Sequence, residues 1–350
     1  MIKVLIVDDS SVVREFMAHM LSSDPGIEVV GMAISGEEAV RLVSEKKPDV
    51  VTMDIHMPGM DGYQATRTIM ETFPTPVVIV SGSLGVNDVS NSFKLFEAGA
   101  LAVVLRPPGM EDAGYSVARK VLVQTVKLMS EIKVVKRFPK QGKVNVSRIH
   151  LPPSENLKVT DIQLVAIGAS TGGPMVLQTI LSNLPNDFPA PILIVQHIAR
   201  GFVAGFRDWL ATSSSLPVSV AVNGEKIKPG KVYIAPDEHQ MGITKGPKIN
   251  LCKLPAENGL CPSVSFLFRS VSEVMGSKAI GILLTGMGKD GASELKMMKN
   301  NGAITIAQDE ASSVVYGMPG EAVKIGAATK VLPPAMIAAA LSDLCNNQPL

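Results

Sequence analysis

The chain has 350 residues, a hydrophobic content of 46% and a formal net charge of +1 at pH 7. Domains usually hold roughly 100–200 residues, so this length predicts two of them. The near-neutral charge argues against a dedicated nucleic-acid-binding protein and against strong attraction to an anionic membrane surface.

Cysteine use and the N-terminus both favour a cytoplasmic protein. Three cysteines form no CxxC pair and cannot all pair with each other, which is typical of a reducing compartment. Asp8 and Asp9 stand where a signal peptide would keep its apolar segment. No apolar run approaches the roughly 20 residues that a spanning helix needs, so we expect no membrane insertion.

Over the first 125 residues, short apolar runs alternate with segments of helical spacing. Five runs have strand patterning: Lys3–Val7, Glu28–Met32, Val50–Met53, Val77–Val80 and Leu101–Leu105. The alternation predicts an α/β domain with a five-stranded, doubly wound parallel sheet and helices on both faces. In such sheets the ligand site lies outside the carboxyl ends of the strands.

Acidic, hydroxyl and basic residues follow the ends of these strands. Asp8 and Asp9 follow the first strand, Asp54 the third, Ser81 the fourth and Arg106 the fifth. Three carboxylates at one point repel each other unless a cation joins them, and oxygen ligands suit Mg²⁺. A carboxylate beside that metal can accept a phosphoryl group. Alternatively, acids at strand ends cap the next helices, but capping does not account for the hydroxyl and the basic residue.

These residues and their neighbours resemble a response-regulator receiver domain. The resemblance rests on Val7-Asp8-Asp9-Ser10, on Met53-Asp54-Ile55-His56-Met57-Pro58-Gly59-Met60-Asp61-Gly62, on Ser81 and on Arg106-Pro107. It implies that Asp54 is the phosphoacceptor and that a histidine kinase is the phosphodonor. It also implies that Mg²⁺ is held by Asp8, Asp9, Asp54 and the backbone carbonyl of Ile55.

Two further residues of this resemblance concern the switch. Ser81 is implied as the hydroxyl that moves onto the phosphoryl group. Receivers usually carry lysine where this chain has Arg106, and arginine keeps the charge but has a larger, planar head. Coupling between the phosphoryl group and the rest of the domain is therefore expected to differ.

A basic segment follows this domain. From Lys133 to Arg148 there are six basic residues and no acid, interrupted by Pro139 and Gly142. We predict a long helix over Tyr115–Ile132 that runs into an irregular linker, long enough for two domains to rearrange. The predicted bounds are 1–125 for the receiver domain, 126–157 for the helix end and linker, and 158–350 for the second domain. A nucleic-acid tail is the alternative, but the spread of the charges favours a solvated linker.

The second domain repeats the alternating pattern. We predict strands at Leu164–Ile167, Ile192–Val195, Val218–Val222, Lys231–Ala235, Ala279–Leu284 and Ala303–Ala307, with Ile243–Ile249 as a possible hairpin partner. Phe202–Leu210 and Ser265–Met275 have helical spacing. The expected architecture is a mostly parallel α/β sheet with a small antiparallel part.

Three polar residues occupy equivalent places just beyond strands of this sheet: Ser170, His197 and Asp290. A neutral imidazole can take the serine proton, and a carboxylate can orient the imidazole. Other interpretations remain open at this point. The glycine-rich turn after Ser170 and the Gly286–Gly291 loop can hold phosphate. Asp290 can cap the helix that follows it, and His239 is a second candidate base.

Several motifs of this half resemble the catalytic domain of the chemotaxis protein-glutamate methylesterases. They are Gly168-Ala169-Ser170-Thr171-Gly172-Gly173, Gln196-His197, Tyr233-Ile234-Ala235-Pro236 with His239, Pro262-Ser263-Val264, Leu284 through Gly291, and Ala307-Gln308-Asp309-Glu310 through Tyr316-Gly317-Met318-Pro319. The resemblance implies Ser170 as nucleophile, His197 as base and Asp290 as the orienting carboxylate.

The same resemblance implies the rest of the site and the reaction. The Met287 N–H and the Ser170–Gly172 turn, with Thr171 and Gly172, are implied as oxyanion donors. The substrates are expected to be glutamate methyl esters on chemoreceptor helices, with release of methanol, and receptor glutamines as a second, deamidated substrate. We expect a monomer whose esterase chemistry needs no cofactor and which phosphorylation at Asp54 activates. The chain departs from the family at Cys261, Ser265, Ala199 and Trp209.

Two other classes of function compete with this interpretation. A DNA-binding response regulator would carry a basic recognition helix in its second half, and the sequence shows none. A catalytically silent interaction module with a phosphate-holding loop would not account for His197 and Asp290 beside Ser170.

Overall fold

The computed structural model describes residues 1–82, 93–132, 134, 162–257 and 259–346. Most of the predicted basic linker, including the segment from 135 to 161, lies outside the described residues. The predicted domain bounds within it therefore stay predictions.

The N-terminal half is a parallel sheet in the order β2-β1-β3-β4-β5. Its strands are β1 (Ile2–Val7), β2 (Ile27–Ala33), β3 (Val50–Met53), β4 (Val77–Ser81) and β5 (Ala102–Leu105). The helices are α1 (Ser11–Ser22), α2 (Gly36–Lys46), α3 (Gly62–Thr72), α4, described over 93–98, and α5 (Tyr115–Ser130). The predicted five-stranded fold is confirmed.

Alternation along the strands divides this half into two cores, because successive strand side chains point to opposite faces. Leu5 and Val7 of β1 pack with residues of α2 and α3 on one face. Val4 and Ile6 pack with residues of α1 and α5 on the other. Helix starts are set locally: Ser10 caps α1 by accepting the N–H of Val13. This two-sided burial explains why the strands are almost continuously apolar.

The C-terminal half contains a seven-stranded parallel sheet in the order β14-β13-β12-β6-β7-β9-β8. Its strands are β6 (Leu164–Ala169), β7 (Ile192–Gln196), β8 (Val218–Val220), β9 (Val232–Ile234), β12 (Ala279–Leu283), β13 (Ile304–Gln308) and β14 (Lys330–Leu332). The antiparallel pair is β10 (Gln240–Thr244) with β11 (Lys248–Cys252). The helices are α6 (Gly173–Ser182), α7 (Val203–Ser213), α8 (Val264–Met275), α9 (Ala292–Asn300), α10 (Met318–Lys324) and α11 (Pro334–Asn346).

The predicted fold class of this half is confirmed, with one local correction. The sequence pattern places a single strand at Ile243–Ile249, whereas the structure has a turn in the middle of that range, between β10 and β11. Gly246 has a φ of +84° there, a conformation that glycine adopts without steric cost. The apolar residues on both sides of the turn therefore belong to two strands rather than one.

The two halves contact each other through an aromatic cluster. Phe93 of α4 lies 5.3 Å from Phe206 and 5.6 Å from Trp209 of α7, measured between ring centroids. The Trp209 indole N–H donates to Glu97 Oε1 at 3.0 Å. Phe93 is only 1% exposed and shares the core of the C-terminal half rather than the core of its own sheet. The receiver-like half is thus anchored directly beside α7.

A second contact involves the loop that follows β13 of the C-terminal sheet. Val315, with Val314 packed beside it, belongs to the apolar cluster of the N-terminal half that also contains Val80 and Val104. The N-terminal half therefore contacts the C-terminal half through two groups of apolar residues. Among the described residues, no helix is both long enough and apolar enough to cross a membrane.

Candidate active site and acidic site

Three adjacent strands of the seven-stranded sheet bring the candidate triad together. β12, β6 and β7 are neighbours, and Asp290, Ser170 and His197 come after their carboxyl ends in that order. The His197 Nε2 lies 2.9 Å from Asp290 Oδ2. The side chains of His197 and Asp290 are 12% and 3% exposed, so this contact is shielded from water. The predicted convergence of these residues is what the parallel sheet produces.

The Asp290 carboxylate is held mainly by the start of α8. Oδ2 accepts the N–H of Val264 at 2.7 Å, and Oδ1 accepts the N–H of Ser265 at 3.1 Å. The Ser263 hydroxyl donates to Oδ1 at 3.0 Å. The first N–H groups of a helix lack partners within the helix and favour a negative charge. The beginning of α8 therefore fixes the position of the Asp290 carboxylate and favours its charged form.

The pKa of Asp290 reflects this environment. Burial alone would raise it, but the hydrogen bonds with His197, Ser265 and the Val264 N–H outweigh burial and hold the pKa at about 2. Asp290 is thus ionised at neutral pH and can only accept hydrogen bonds. The neutral His197 ring must then carry its proton on Nε2, which leaves Nδ1 as the nitrogen able to take a proton.

The alternative role for Asp290, as the N-cap of the next helix, is wrong. Gly291 precedes α9, with a φ of +80° and no side-chain cap. The carboxylate faces α8 instead, because the loop after β12 runs past that helix start. Sequence reasoning placed Ser263 in a motif but gave it no role, since its partner is 27 positions away along the chain.

The backbone around Ser170 is fixed by neighbouring strands. Its N–H donates to the Thr285 carbonyl at 3.0 Å, and its carbonyl accepts from Gln196 Nε2 at 2.8 Å. Among the described residues, the Ser170 hydroxyl has no hydrogen bond to the His197 ring. Such bonds often tighten only when substrate binds. Gln196 is 4% exposed, and its position directly before His197 was the signal available in the sequence.

Fewer N–H groups are available as oxyanion donors than the whole Ser170–Gly172 turn contains. The Ser170 N–H already donates to Thr285, so the expectation that this N–H contributes is wrong. The structure gives no acceptor among the described residues for the N–H groups of Thr171, Gly172 and Met287. Their roles stay predictions.

Glycine is required by close approach at two points of this site. Gly172 has a φ of +78°, and a Cβ on it would lie 2.6 Å from the side chain of Val314. A Cβ on Gly286 would lie 2.6 Å from Ser170 Cβ and 2.5 Å from Met318 Sδ. The two glycine-rich segments are thus explained by the packing of the Ser170 turn against the Thr285 loop. His239 lies apart from this arrangement, with its Nδ1 2.9 Å from the Asp237 carbonyl oxygen.

The N-terminal half has its own polar site at the carboxyl ends of its strands. Carboxylate oxygens of Asp8, Asp9 and Asp54 lie within 4.8 Å of one another. The Ile55 carbonyl accepts the Gly62 N–H at 3.0 Å, and a carbonyl oxygen has a second lone pair for another partner. Hard oxygen donors at this spacing fit Mg²⁺.

Burial in this site disfavours negative charge. It raises the pKa of Asp54 to about 6, helped by the charge of Asp8 and opposed by that of Arg106. It also raises the pKa of Asp8. The negative charge of these carboxylates is therefore only partly compensated by Arg106, and a divalent cation would compensate the rest. The charge of the site and its oxygen donors thus both fit Mg²⁺.

Arg106 bridges two of these acids. Its Nη2 donates to Asp8 Oδ2 at 2.9 Å and to Asp54 Oδ1 at 3.2 Å. Its backbone N–H donates to the Ser81 carbonyl at 2.8 Å, which places both switch residues on adjacent strands. Its buried Nε has no partner among the described residues. A Cβ on Gly82 would lie 2.7 Å from Arg106 Nη1, so any larger residue at position 82 requires the guanidinium to shift.

Comparison with known proteins agrees with both halves. A family model described as CheB methylesterase matches residues 165–341, and one described as response regulator receiver domain matches residues 4–113. A protein-glutamate methylesterase/protein-glutamine glutaminase of Geobacter metallireducens is 53% identical over 98% of this chain and 99% of that protein. One from Syntrophus aciditrophicus is 52% identical over 99% of each.

A solved structure is similar to the C-terminal half. The crystal structure of the Thermotoga maritima CheB methylesterase catalytic domain is 41% identical, with a TM-score of 0.51. It covers 52% of this chain and 98% of that one. The similarity thus spans the sheet that carries Ser170, His197 and Asp290.

Replacing Asp290 tests the electrostatic role of the α8 start. The pKa of Asp290 is lower in the folded state than its value of about 3.9 in the unfolded chain. The ionised carboxylate therefore stabilises the fold fully above about pH 3.9, and this stabilisation is lost as the pH falls toward 2. We expect Asp290→Asn to lower the free energy of unfolding by about 2 kcal/mol at pH 7, with the deficit shrinking between pH 4 and 2. Urea unfolding checks this against Asp187→Asn, an exposed control. A deficit independent of pH would contradict the role.

A double-mutant cycle tests the contact between Gly82 and Arg106. Gly82→Ala should destabilise the N-terminal half because its Cβ displaces the guanidinium from Asp8 and Asp54. In an Arg106→Lys background the same change should cost less, giving a coupling of about 1 kcal/mol in thermal or urea unfolding. Gly109→Ala is the matched control, since a Cβ there meets nothing within 4 Å. Additive effects would mean that the two positions are independent.

Proposed function

This chain belongs to the CheB methylesterase family, and we propose that it hydrolyses glutamate methyl esters on chemoreceptor helices under control of its receiver domain. The observation that carries the proposal is the buried His197–Asp290 pair, with Nε2 to Oδ2 at 2.9 Å, beside the Ser170 turn. An oriented, neutral imidazole at a strand end next to a serine is the arrangement that makes a hydroxyl nucleophilic at neutral pH.

Acylation begins with Ser170. Its Oγ attacks the ester carbonyl carbon while His197 Nδ1 takes the hydroxyl proton. Asp290, ionised because its pKa is about 2, stabilises the imidazolium that forms. The C–O bond to the methyl group's oxygen then breaks, and methanol leaves with the proton from His197.

Negative charge on the carbonyl oxygen needs donors that are free. We propose the N–H groups of Thr171, Gly172 and Met287, because the Ser170 N–H is already engaged with Thr285. Preorganised donors of this kind are usually the largest single contribution to such a reaction. Gln196 and Thr285 hold the turn from both sides, so the donors need not reorganise.

Deacylation repeats these steps with water. His197 removes a proton from the water that attacks the acyl-serine, and Ser170 leaves with that proton to give glutamate. A receptor glutamine presents an amide carbonyl to the same serine, with ammonia as the leaving group. We therefore propose deamidation as a second activity of the same site.

The receiver domain supplies the control. We propose that Asp54 accepts a phosphoryl group from a chemotaxis histidine kinase, with Ser81 and Arg106 contacting it. Asp8, Asp9, Asp54 and the Ile55 carbonyl would hold Mg²⁺, which supplies positive charge to the phosphoryl group when bound. Arg106 adds a planar, fixed positive charge on the same side, through contacts it already makes to Asp8 and Asp54.

The contacts between the halves support a mechanism in which the receiver domain covers the candidate active site and so limits access of the substrate. Phe93 packs against Phe206 and Trp209 of α7, and Val315 packs against the N-terminal half on the other side. Ser170 and His197 lie in the wall of a cavity that residues of both halves line, Phe93 among them. We propose that a receptor helix reaches Ser170 only after phosphorylation weakens these contacts and the halves separate. Such an enzyme would act in the cytoplasm, on the cytoplasmic helices of its receptors.

Replacing the nucleophile tests the esterase. We expect Ser170→Ala to lower methanol release from methylated receptor by about 10⁴-fold or more, because the remaining groups cannot form the acyl intermediate. Ser182→Ala, an exposed serine on α6, is the control and should keep full activity. Unchanged unfolding of both variants shows that folding is retained. Persistent release from Ser170→Ala would place the nucleophile elsewhere.

Removing an anchor tests the covering contact. Phe93→Ala should raise methanol release by the unphosphorylated chain at least about tenfold, because loss of a buried aromatic contact costs several kcal/mol. Activity with a small phosphodonor and Mg²⁺ should change little. Phe73→Ala, at a 47% exposed position of the same half, is the control. If Phe93→Ala and Phe73→Ala have the same basal activity, the contact does not restrain the enzyme.

A further inference from the structure

A cavity remains between the two halves, directly at the candidate triad. Its volume is about 490 Å³. Ser170, Thr171 and His197 lie in its wall on one side, and Leu105, Ala118 and Val121 of the receiver domain lie on the other. The covering domain therefore leaves space next to the nucleophile rather than filling it.

Two residues of the receiver wall are also exposed to solvent, Val121 to 49% and Leu105 to 39%. A small molecule that enters beside these two residues would reach the cavity with the contacts of Phe93 and Val315 intact. The remaining wall is mostly apolar, with Phe96 and Phe202 among its residues.

The size of the cavity determines which esters can reach Ser170. Pockets of roughly 300–1,000 Å³ accommodate small molecules. An α-helix is about 10 Å across with its side chains and must continue in both directions from the modified glutamate, so a receptor helix needs open space beyond the two walls of the cavity. The cavity thus admits a short ester and excludes a glutamyl ester carried on a helix.

We propose that the receiver domain selects substrates by size, so that the closed, unphosphorylated chain still hydrolyses short acyl and aryl carboxylic esters at Ser170. This rests on the proposed function of Ser170. In the reaction Ser170 Oγ bonds to the carbonyl carbon, the bond to the alcohol oxygen breaks, and the alcohol leaves with the serine proton through His197. Water then hydrolyses the acyl-serine to the carboxylic acid.

The comparison of two substrates tests size selection on the full chain. Activity on p-nitrophenyl acetate, after subtraction of the Ser170→Ala background, should change by less than about threefold on addition of a phosphodonor and Mg²⁺. Methanol release from methylated receptor should rise at least about tenfold under the same conditions. A parallel rise of both activities would overturn the proposal, as would a failure of both forms to hydrolyse p-nitrophenyl acetate.

Filling the cavity from the receiver side tests its location. Ala118→Phe adds a ring to the cavity wall, and should lower kcat/KM for p-nitrophenyl acetate at least about tenfold in the unphosphorylated chain only. Val117→Phe adds the same ring one position along α5, at a 68% exposed residue outside the cavity wall, and should have no effect. Equal rates for the two variants would overturn the proposal.

A different measurement would contradict the proposed function of Ser170. It would be contradicted by methanol release from receptor that survives Ser170→Ala, whatever the rates on the small ester. Size selection is contradicted only by the comparison of substrates or of the two phenylalanine variants.

Discussion

The arrangement of the C-terminal half depends on how one buried carboxylate is kept ionised. Burial of Asp290 alone would raise its pKa, yet the hydrogen bond with His197 and the donors at the start of α8 together hold the pKa at about 2. The charge in turn fixes the tautomer of His197, because an ionised carboxylate can only accept the Nε2 proton. The carboxylate that decides which imidazole nitrogen can act as a base is thus held in place partly by a helix that contributes no residue to the proposed triad.

Both halves use the same edge of a parallel sheet for their polar sites. Parallel strands end together, and their carboxyl ends are followed by loops free to carry polar side chains. In the receiver domain the result is Asp8, Asp9 and Asp54 with Arg106 between two of them. In the esterase domain it is Ser170, His197 and Asp290. The first site carries excess negative charge, whereas the second balances its one carboxylate with N–H and hydroxyl donors.

Contacts between apolar side chains hold the two halves, and with them these two polar sites, together. Phe93 lies in the core of the C-terminal half although it belongs to the N-terminal half, and Val315 does the reverse. Each half thus buries an apolar residue of the other. A cavity lined by residues of both halves remains beside Ser170 and His197.

Local pattern and motif in the sequence determined the fold class of both halves and the residues at each strand end. Strand and helix periods are local properties, and the carboxyl ends of parallel strands must meet. The prediction of one strand at Ile243–Ile249 was wrong, because apolar residues on both sides of a glycine turn have the pattern of a single strand. Residue type also identified Arg106 as a departure, before any contact was known.

Only the tertiary structure decided which groups touch. Ser263, Val264 and Ser265 reach Asp290 across more than twenty positions, so no local pattern shows that α8 holds the carboxylate. The engagement of the Ser170 N–H by Thr285 is likewise a contact between strands. The place of Gly82 beside Arg106 and of Phe93 beside Trp209 follows from packing between distant segments. Sequence determines which chemistry each strand end offers, and long-range packing decides its charge, orientation and access.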